Sequence, residues 1–290
     1  MENSIIIVGN GFDVNHGLLS RYSNYKTWLC NHNKQLYDFL ERYIDVKGDW
    51  WNDFERSLSE INVPKLINET PPDNSPSILG IPPSFYEPAC GHLDHIRDEI
   101  SKSFSEWINT MVVASVRKCV DLPKASLYIS FNYTDTLERV YGIKEVKILY
   151  IHGKALRGDN LIYGHGKNQY RLEHDVKKKY GLYESKDFFK AGTYGDSEFQ
   201  LTHHLAYWEK RPYTQLVRYS EILFPIVKNS ESVYTYGFSF SEVDFPYIQW
   251  MVQHNPNLRW KTSWHSDVDK TRISDTFKTL KVKEYEFTYL

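Results

Sequence analysis

The sequence predicts a doubly wound α/β fold, in which a mostly parallel sheet carries helices on both faces and also has helical insertions. Two features of the 290-residue chain point to this fold. Short runs of apolar and β-branched residues alternate with longer segments whose apolar residues recur every three or four positions. Several of the short runs are apolar at consecutive positions, which is typical of strands that are buried on both faces.

The short apolar runs are the predicted strands, and most of them end at Gly, Pro or polar turn residues. They comprise residues 4–8, 126–131, 147–151, 161–163, 232–236, 258–264 and 282–287. Segments with helical periodicity fill the intervals, and the longest carries one apolar stripe that predicts packing against the core. The predicted helices comprise residues 25–29, 36–44, 51–61, 93–112, 216–227, 247–254 and 274–280.

We predict one α/β domain over residues 1–290 with two unusual segments inside it. Residues 62–90 are rich in proline, which interrupts both helices and strands, so we expect a loop or lid there. Residues 167–230 begin with a polar, helix-favouring stretch that contains no clear strand. We therefore expect them to form a largely helical insertion within the domain.

The composition excludes several classes of protein. The chain has 35 Lys and Arg against 37 Asp and Glu, so its net charge of -2 does not favour nucleic acid or an anionic membrane. No apolar stretch has the length or the flanks of a signal peptide or membrane span, and we expect a cytoplasmic location. Cys30, Cys90 and Cys119 lack the paired spacing of a zinc ribbon, so we expect no disulfide and no metal.

Several predicted strands run into short turns that are polar or rich in glycine. In an open α/β sheet, ligands bind at the carboxyl ends of the strands, where these turns lie. The glycines allow backbone amides to approach a phosphate, and they permit positive φ angles. The residues that we place at this site are Gly9, Asn10, Gly11, Phe12, Asp13, Asn132, Tyr133, Asp135, His152, Gly153, His165, Gly237, Ser239 and Asp244.

Asn132 and His152 are the candidate catalytic residues, because each directly follows a predicted strand. A histidine in such a turn titrates near neutral pH, and an amide orients a substrate or a water molecule. His165 suits a supporting role in its turn as well as a direct one. The third glycine of the dinucleotide fingerprint is replaced by Val14, and no P-loop motif is present, which disfavours an ordinary dehydrogenase or a P-loop enzyme.

The order of these motifs resembles that of the AbiH family, whose members are bacterial proteins associated with abortive infection by phage. The resemblance extends over most of the chain, and the order of the motifs is more specific than any one of them. The matching segments are Val8-Gly9-Asn10-Gly11-Phe12-Asp13, His16-Gly17-Leu18, residues 131–138, His152-Gly153, Gly164-His165-Gly166 and residues 236–244.

The same order is similar, more remotely, to sirtuin-like NAD-binding and NAD-hydrolase domains, which have a Rossmann-like fold. This resemblance implies that Asn132 handles the ribose and the attacking water, that His152 is the general base, and that the glycine turns and Ser239 line the dinucleotide. Two features differ: Asp135 lies three residues after Asn132 rather than two, and a Phe-Asp pair follows the first glycines. The zinc-binding cysteine pairs of the deacylases are absent.

The resemblance thus predicts an anti-phage enzyme that hydrolyses NAD+ to nicotinamide and ADP-ribose. It requires no cofactor, since NAD+ is the substrate or ligand, and its partner is a small-molecule nucleotide. A second copy of the chain or a partner protein is the expected trigger. The alternative is a non-catalytic nucleotide-binding regulatory module, and an enzyme acting on nucleic acid is less favoured. Asp13, Asp135 and Glu242 all stay open as the carboxylate that assists.

Overall fold

In a computed structural model, the residues described are 3–70, 87–111, 113, 116–180 and 194–289. The sequence predicts one domain over residues 1–290, and this stays a prediction. The chain divides into two compact units, which are described separately. The first unit comprises Met1–Asn24, Ser105–Ile162 and Arg211–Leu290, and the second comprises Tyr25–Phe104 and Tyr163–Lys210.

The strands of the described residues form one six-stranded sheet, which lies in the first unit. They are β1 (Ser4–Val8), β2 (Leu127–Ser130), β3 (Ile148–Tyr150), β4 (Ser232–Tyr236), β5 (Arg259–Trp264) and β6 (Glu284–Tyr289). The order is β3-β2-β1-β4-β5-β6, and every pair is parallel. This is the doubly wound order, whose two halves meet between β1 and β4. The predicted α/β fold class is confirmed.

The helices differ in length and separate most of the strands along the chain. They are α1 (Asn10–Asn15), α2 (Tyr22–His32), α3 (Lys34–Tyr43), α4 (Phe54–Ser57), α5 (Val63–Glu69), α6 (Glu87–Asn109), α7 (Thr136–Arg139), α8 (Gln169–Tyr180), α9 (Tyr194–Ala206), α10 (Pro212–Arg218), α11 (Ser220–Asn229), α12 (Phe245–His254) and α13 (Asp267–Thr279). No helix of the described residues is long and apolar enough to cross a membrane.

Helices pack on both faces of the sheet because β1, at its centre, is apolar on both sides. Ile5 and Ile7 belong to a core cluster that includes side chains of α10 to α13. Ile6 and Val8 point to the opposite face, where their cluster includes Phe12 of α1 and a residue of α7. All five residues of β1 are buried, as the unbroken apolar run predicts.

One predicted strand, at residues 161–163, is wrong, because this segment is irregular in the structure. The Ile162 N–H donates to the His152 carbonyl at 2.9 Å, and the Ile162 carbonyl accepts from the Tyr133 hydroxyl at 2.8 Å. A side chain therefore occupies the place where a neighbouring strand would pair. Leu161 is buried, so the apolar pattern reports burial without a ladder of backbone hydrogen bonds.

The proline-rich segment 62–90, which is predicted to be a loop or lid, is helical at both of its ends. Pro64 lies in the first turn of α5, where helices tolerate proline because no N–H is needed there. At the other end, α6 already begins at Glu87. The rest of the predicted loop or lid, residues 71–86, lies outside the described residues.

The segment 167–230 is helical wherever it is described, from α8 to α11. Residues 181–193 lie outside the described part. The segment is shared between the two units, because α8 and α9 belong to the second unit whereas α10 and α11 belong to the first. Leu216 and Val227 join the core of the sheet, so α10 and α11 are part of the doubly wound fold rather than an insertion into it.

The turns after β1 and β4 pack backbone against backbone. The Gly11 N–H donates to the Gly237 carbonyl at 2.9 Å. A Cβ atom on Gly237 would lie 2.0 Å from the Phe12 nitrogen, and one on Gly9 would lie 2.7 Å from the Gly237 oxygen. Gly237 also has a φ of +59°, a conformation that side chains disfavour. Glycine at position 237 is therefore required both by the contact and by the backbone conformation.

We expect Gly237→Ala to destabilise the fold by more than about 3 kcal/mol, because its Cβ atom has no space. Gly158→Ala is the matched control, since Gly158 has a φ of +75° and no atom within 4 Å of an added Cβ. The control carries only the conformational cost of about 1–2 kcal/mol. Urea unfolding of both variants measures the difference, and equal losses of stability would contradict a steric requirement at Gly237.

Candidate functional site

The turns after β2 and β3 bring Asn132 and His152 to the same edge of the sheet. Ser130 of β2 is in register with Tyr150 of β3. Asn132 and His152 each follow these paired residues by two positions. The ring of Phe131 lies edge-on to the His152 ring, with centroids 5.0 Å apart. The structure thus places the two candidate catalytic residues on neighbouring turns.

The Asn132 side chain is buried without a hydrogen-bond partner. It is 5% exposed, and neither its Nδ2 nor its Oδ1 atom is bonded to any of the described residues. The amide faces the Asp13 carboxylate and lowers the pKa of that carboxyl group as a nearby donor does, but the two groups do not meet the distance and angle of a hydrogen bond. Leaving a buried polar atom unsatisfied costs about 1–3 kcal/mol, so such an amide calls for a specific explanation. A ligand that both donates to and accepts from the amide would supply one.

Asp13 projects from α1 into a set of neutral hydrogen-bond donors. Its carboxylate accepts from the Thr134 hydroxyl at 2.5 Å and from the Thr136 hydroxyl at 2.8 Å. Burial raises the pKa of Asp13 from 3.8 to about 6, although the two hydroxyls and Asn132 oppose the shift. The negative charge of Asp135 adds to the increase. At neutral pH the Asp13 carboxyl group is therefore mostly ionised, with its charge held in the interior.

Asp135 provides a second buried carboxylate in the same turn. It is 4% exposed and precedes the first residue of α7. One oxygen accepts from Arg139 Nε at 2.5 Å, whereas Oδ1 has no partner among the described residues. The Arg139 ion pair fixes the orientation of the carboxylate and leaves an oxygen available to a ligand.

His152 lies against residues from the start of α12. It is 1% exposed, and its Nε2 atom is 3.3 Å from the Tyr247 hydroxyl and 3.9 Å from Asp244 Oδ1. The other oxygen of Asp244 accepts from the Ser241 hydroxyl at 3.1 Å. A distance of 3.9 Å is too long for a hydrogen bond, but it is short enough for the carboxylate to stabilise a protonated imidazole.

The backbone amides of the glycine turn after β1 donate hydrogen bonds to other backbone groups of the protein. The Gly9 N–H donates to the Tyr236 carbonyl at 3.0 Å, and the Phe12 N–H donates to the Gly9 carbonyl at 2.8 Å. The Gly11 N–H is likewise bonded to Gly237. Gly9, Gly11 and Gly237 therefore lie at the predicted edge, where their small size allows close packing. Their predicted contact with a dinucleotide stays a prediction. The N–H groups of Gly9, Gly11 and Phe12 are already hydrogen-bonded to backbone carbonyls, so these three amides give no indication of a phosphate site.

The other predicted site residues in the turns after β1 and β4 differ in their exposure to solvent. Asn10 is exposed and donates to the Ser20 carbonyl at 2.9 Å. Phe12 is buried, with its ring centroid 4.4 Å from that of His16. Ser239 is exposed in the turn after β4. Asn10 and Ser239 are thus accessible, whereas Phe12 packs in the core.

Gly153 and Tyr133 support the turn that contains His152. Gly153 has a φ of +88° and donates its N–H to the Tyr150 carbonyl at 3.2 Å, which turns the chain directly after His152. The Tyr133 hydroxyl holds the following segment through the Ile162 carbonyl. The Tyr133 ring also faces the His152 ring, with centroids 6.3 Å apart. Both residues therefore position the histidine.

His165 belongs to the second unit, and both of its ring nitrogens are hydrogen-bonded there. Nε2 lies 3.0 Å from the Leu205 carbonyl, which only accepts, and Nδ1 accepts from the Lys167 N–H at 3.2 Å. These contacts assign the proton to Nε2. Burial lowers the pKa of His165 to about 4, so the ring is neutral. This bonding favours the supporting role for His165.

The sequence predictions missed Thr134, Thr136 and Tyr247. The two threonines stand at alternate positions beside Asn132 in the chain, and this spacing was the available signal. Tyr247 had no local signal, because it meets His152 across 95 residues of sequence. Among the residues that the structure describes, no group of three or more His, Cys, Asp or Glu side chains could hold a metal ion.

Comparison with known proteins identifies the family. The family model described as bacteriophage abortive infection AbiH matches residues 5–264. The chain belongs to the AbiH family. This membership makes it a bacterial abortive-infection protein, which acts against phage, and it confirms the family that the order of the motifs predicts. All the predicted site residues of this AbiH protein lie inside the matched region. No curated protein matches the chain.

The raised pKa of Asp13 makes the stability of the AbiH protein depend on pH. Because the folded pKa of about 6 exceeds the usual 3.8, the native state binds this proton more tightly than the unfolded state does. The resulting stability is present below pH ~4 and is lost as the pH rises through about 6. Asp13→Asn removes this loss, so we expect its unfolding free energy relative to the parent to rise by about 2.4 kcal/mol between pH 4 and pH 8.

Urea unfolding of both proteins at several pH values measures that difference. Asp275→Asn, a change of the same kind on the exposed surface of α13, is the control and should follow the parent at every pH. If the unfolding free energies of Asp13→Asn and the parent differ by the same amount at every pH, Asp13 keeps an ordinary pKa in the folded protein.

Proposed function

We propose that this AbiH-family protein binds a nucleotide at the carboxyl edge of β1, β2 and β3 and hydrolyses NAD+ to nicotinamide and ADP-ribose. The observation that carries the proposal is the unpartnered amide of buried Asn132 on the turn beside His152. A buried amide with two unsatisfied atoms suits a ligand that carries both donors and acceptors, as ribose does. We include in this proposal the remote resemblance of the motif order to sirtuin-like domains, which implies the same substrate.

The chemistry requires little beyond orientation and one base. The bond between the ribose C1′ atom and the nicotinamide nitrogen breaks, and its electron pair returns to the ring, which leaves as neutral nicotinamide. No general acid is needed, because the ring nitrogen already carries the positive charge. A water oxygen bonds to C1′ as the oxocarbenium-like ribose collapses, and the water proton goes to a base.

His152 is the base in this scheme, and Asn132 orients the ribose and the water. A neutral imidazole accepts the water proton, and the Asp244 carboxylate at 3.9 Å then stabilises the imidazolium. The hydroxyl of Tyr247 at 3.3 Å restrains the ring. Orientation matters because a correctly placed water replaces a bimolecular encounter with an intramolecular step.

Depletion of NAD+ in the cytoplasm would stop an infected cell, which is how the reaction would serve abortive infection. No resident cofactor is needed, because NAD+ is consumed as a substrate. Such an activity has to be silent before infection, so we propose that self-association or a partner protein triggers it.

A non-catalytic nucleotide-binding module is the second candidate, and one observation favours it. His152 is 1% exposed, and its Nε2 atom already faces the Tyr247 hydroxyl. A histidine held in this way suits a structural role at the bottom of a binding site, with Asn132 alone contacting the nucleotide.

We expect purified protein, at concentrations that favour self-association, to release nicotinamide from NAD+. We expect Asn132→Ala and His152→Ala each to reduce that rate more than about a hundredfold. Chromatography of the reaction mixture measures nicotinamide and ADP-ribose directly. The reduction follows because one change removes the group that orients the substrate and the other removes the base.

His254→Ala is the matched control, since His254 packs on Trp250 at the far end of α12 and its Nδ1 atom bonds to a carbonyl. This change removes a packed histidine at the end of α12, away from the site residues, so the rate should stay near that of the parent. Turnover that survives both site changes would exclude the assigned residues. Nucleotide binding without turnover, lost in Asn132→Ala but kept in His152→Ala, would favour the binding module.

A further inference from the structure

We propose that Asp13 makes the site selective for a cationic ligand, so that it takes the oxidised, positively charged form of a pyridine nucleotide and discriminates against the reduced form. This inference rests on the proposed function, because it assumes that a pyridine nucleotide enters the site. It adds the physical basis of selection and names the residue responsible.

The Asp13 carboxylate is surrounded mainly by neutral groups. The groups that face it are the hydroxyls of Thr134 and Thr136, the amide of Asn132 and, at longer range, the carboxylate of Asp135. Three of these are neutral and one is negative. No Lys, Arg or His of the described residues forms an ion pair with Asp13.

Two cations that follow β2 and β3 in the first unit form ion pairs with other carboxylates. Arg139 binds Asp135 at 2.5 Å, and Lys154 binds Glu138 at 2.9 Å. Asp13 itself is 1% exposed. Buried charges in proteins are normally paired, because desolvation without compensation is costly. Asp13 thus holds a buried charge that no cation of the described residues neutralises.

Asn132 supplies an independent sign that a ligand comes to this carboxylate. Its amide lies next to Asp13, it is 5% exposed, and both of its polar atoms lack partners in the described part of the chain. Asp135, whose charge raises the pKa of Asp13, also has a buried oxygen without a hydrogen-bond partner among the described residues. The unsatisfied groups beside Asp13 are therefore one amide and one acceptor. They suit a ligand with hydroxyl donors and a positive charge, and the two carboxylates repel a phosphate placed directly against them.

A pyridine nucleotide meets this description at its nicotinamide riboside end. The ribose hydroxyls donate to acceptors such as these carboxylates, and the oxidised nicotinamide ring carries one positive charge that the reduced ring lacks. The two forms otherwise share the ribose, the pyrophosphate and the adenosine. Because the interior screens charge poorly, a favourable interaction with one buried carboxylate should change affinity by about tenfold or more.

The test compares the binding of carbocyclic NAD+, whose ring-nitrogen bond resists hydrolysis, with that of NADH. Titration calorimetry at pH 7.5 keeps Asp13 ionised, because its pKa is about 6. The proteins are the parent, Asp13→Asn and the surface control Asp275→Asn. Asparagine has nearly the same shape as aspartate and leaves the carboxylate charge as the main difference.

We expect the parent and Asp275→Asn to bind carbocyclic NAD+ at least about tenfold more tightly than NADH, and Asp13→Asn to bind the two within about twofold of each other. Equal affinities in the parent would overturn the inference while leaving a pyridine-nucleotide site intact. A preference that persists in a folded Asp13→Asn protein would overturn the role of Asp13. Absence of binding by either ligand would remove the proposed function, and this inference would fall with it.

Discussion

The contact between Gly237 and the peptide that joins Gly11 to Phe12 determines how the carboxyl edge of the sheet is built. A Cβ atom at position 237 would lie 2.2 Å from the carbonyl carbon of that peptide and 2.0 Å from its nitrogen. The turns after β1 and β4 therefore meet with no side chain between them. This contact sets where α1 begins, and α1 carries Asp13 to the hydroxyls of Thr134 and Thr136.

The turns at this edge of the doubly wound sheet have two different roles. The turns of β1 and β4, at the point where the strand order reverses, close on each other through glycine and use their amides internally. The turns of β2 and β3 contribute Asn132 and His152 instead. Ligands of open α/β sheets bind near this reversal point. Here the glycines give the site its shape, and the polar groups come from one side of it.

Much of the fold could be predicted from local pattern, because consecutive apolar residues report burial on both faces of a strand. Six of the seven predicted strands exist, and the placement of Asn132 beside His152 follows from parallel strands that end together. The segment at residues 161–163 was wrong because its partner is the Tyr133 hydroxyl, 29 residues away. Likewise, Tyr247 reaches His152 across 95 residues. Such contacts follow from the tertiary fold and leave no local pattern.

The glycine turn shows a second limit of sequence patterns. Glycine is required where a backbone approaches a phosphate and equally where it approaches another backbone, so Gly9-Asn10-Gly11 fits both interpretations. Only the position of Gly237 distinguishes them, and that residue is more than 200 positions away in the chain. The acid beside the turn was ambiguous for a similar reason. Burial separates Asp13 from exposed Glu242, and burial depends on the assembled sheet.

Asp13 and Asn132 differ from a neighbouring carboxylate whose polar contacts are satisfied within the protein. Glu138, close by in the chain, accepts from Lys154 at 3.0 Å and from the Tyr150 hydroxyl at 2.9 Å. The partly buried carboxylate of Glu138 is therefore paired with the cation of Lys154, as expected for a structural ion pair. Asp13 instead keeps a raised pKa, and Asn132 keeps two unsatisfied atoms. Two such costs on adjacent side chains are consistent with selection for a ligand that offsets both of them.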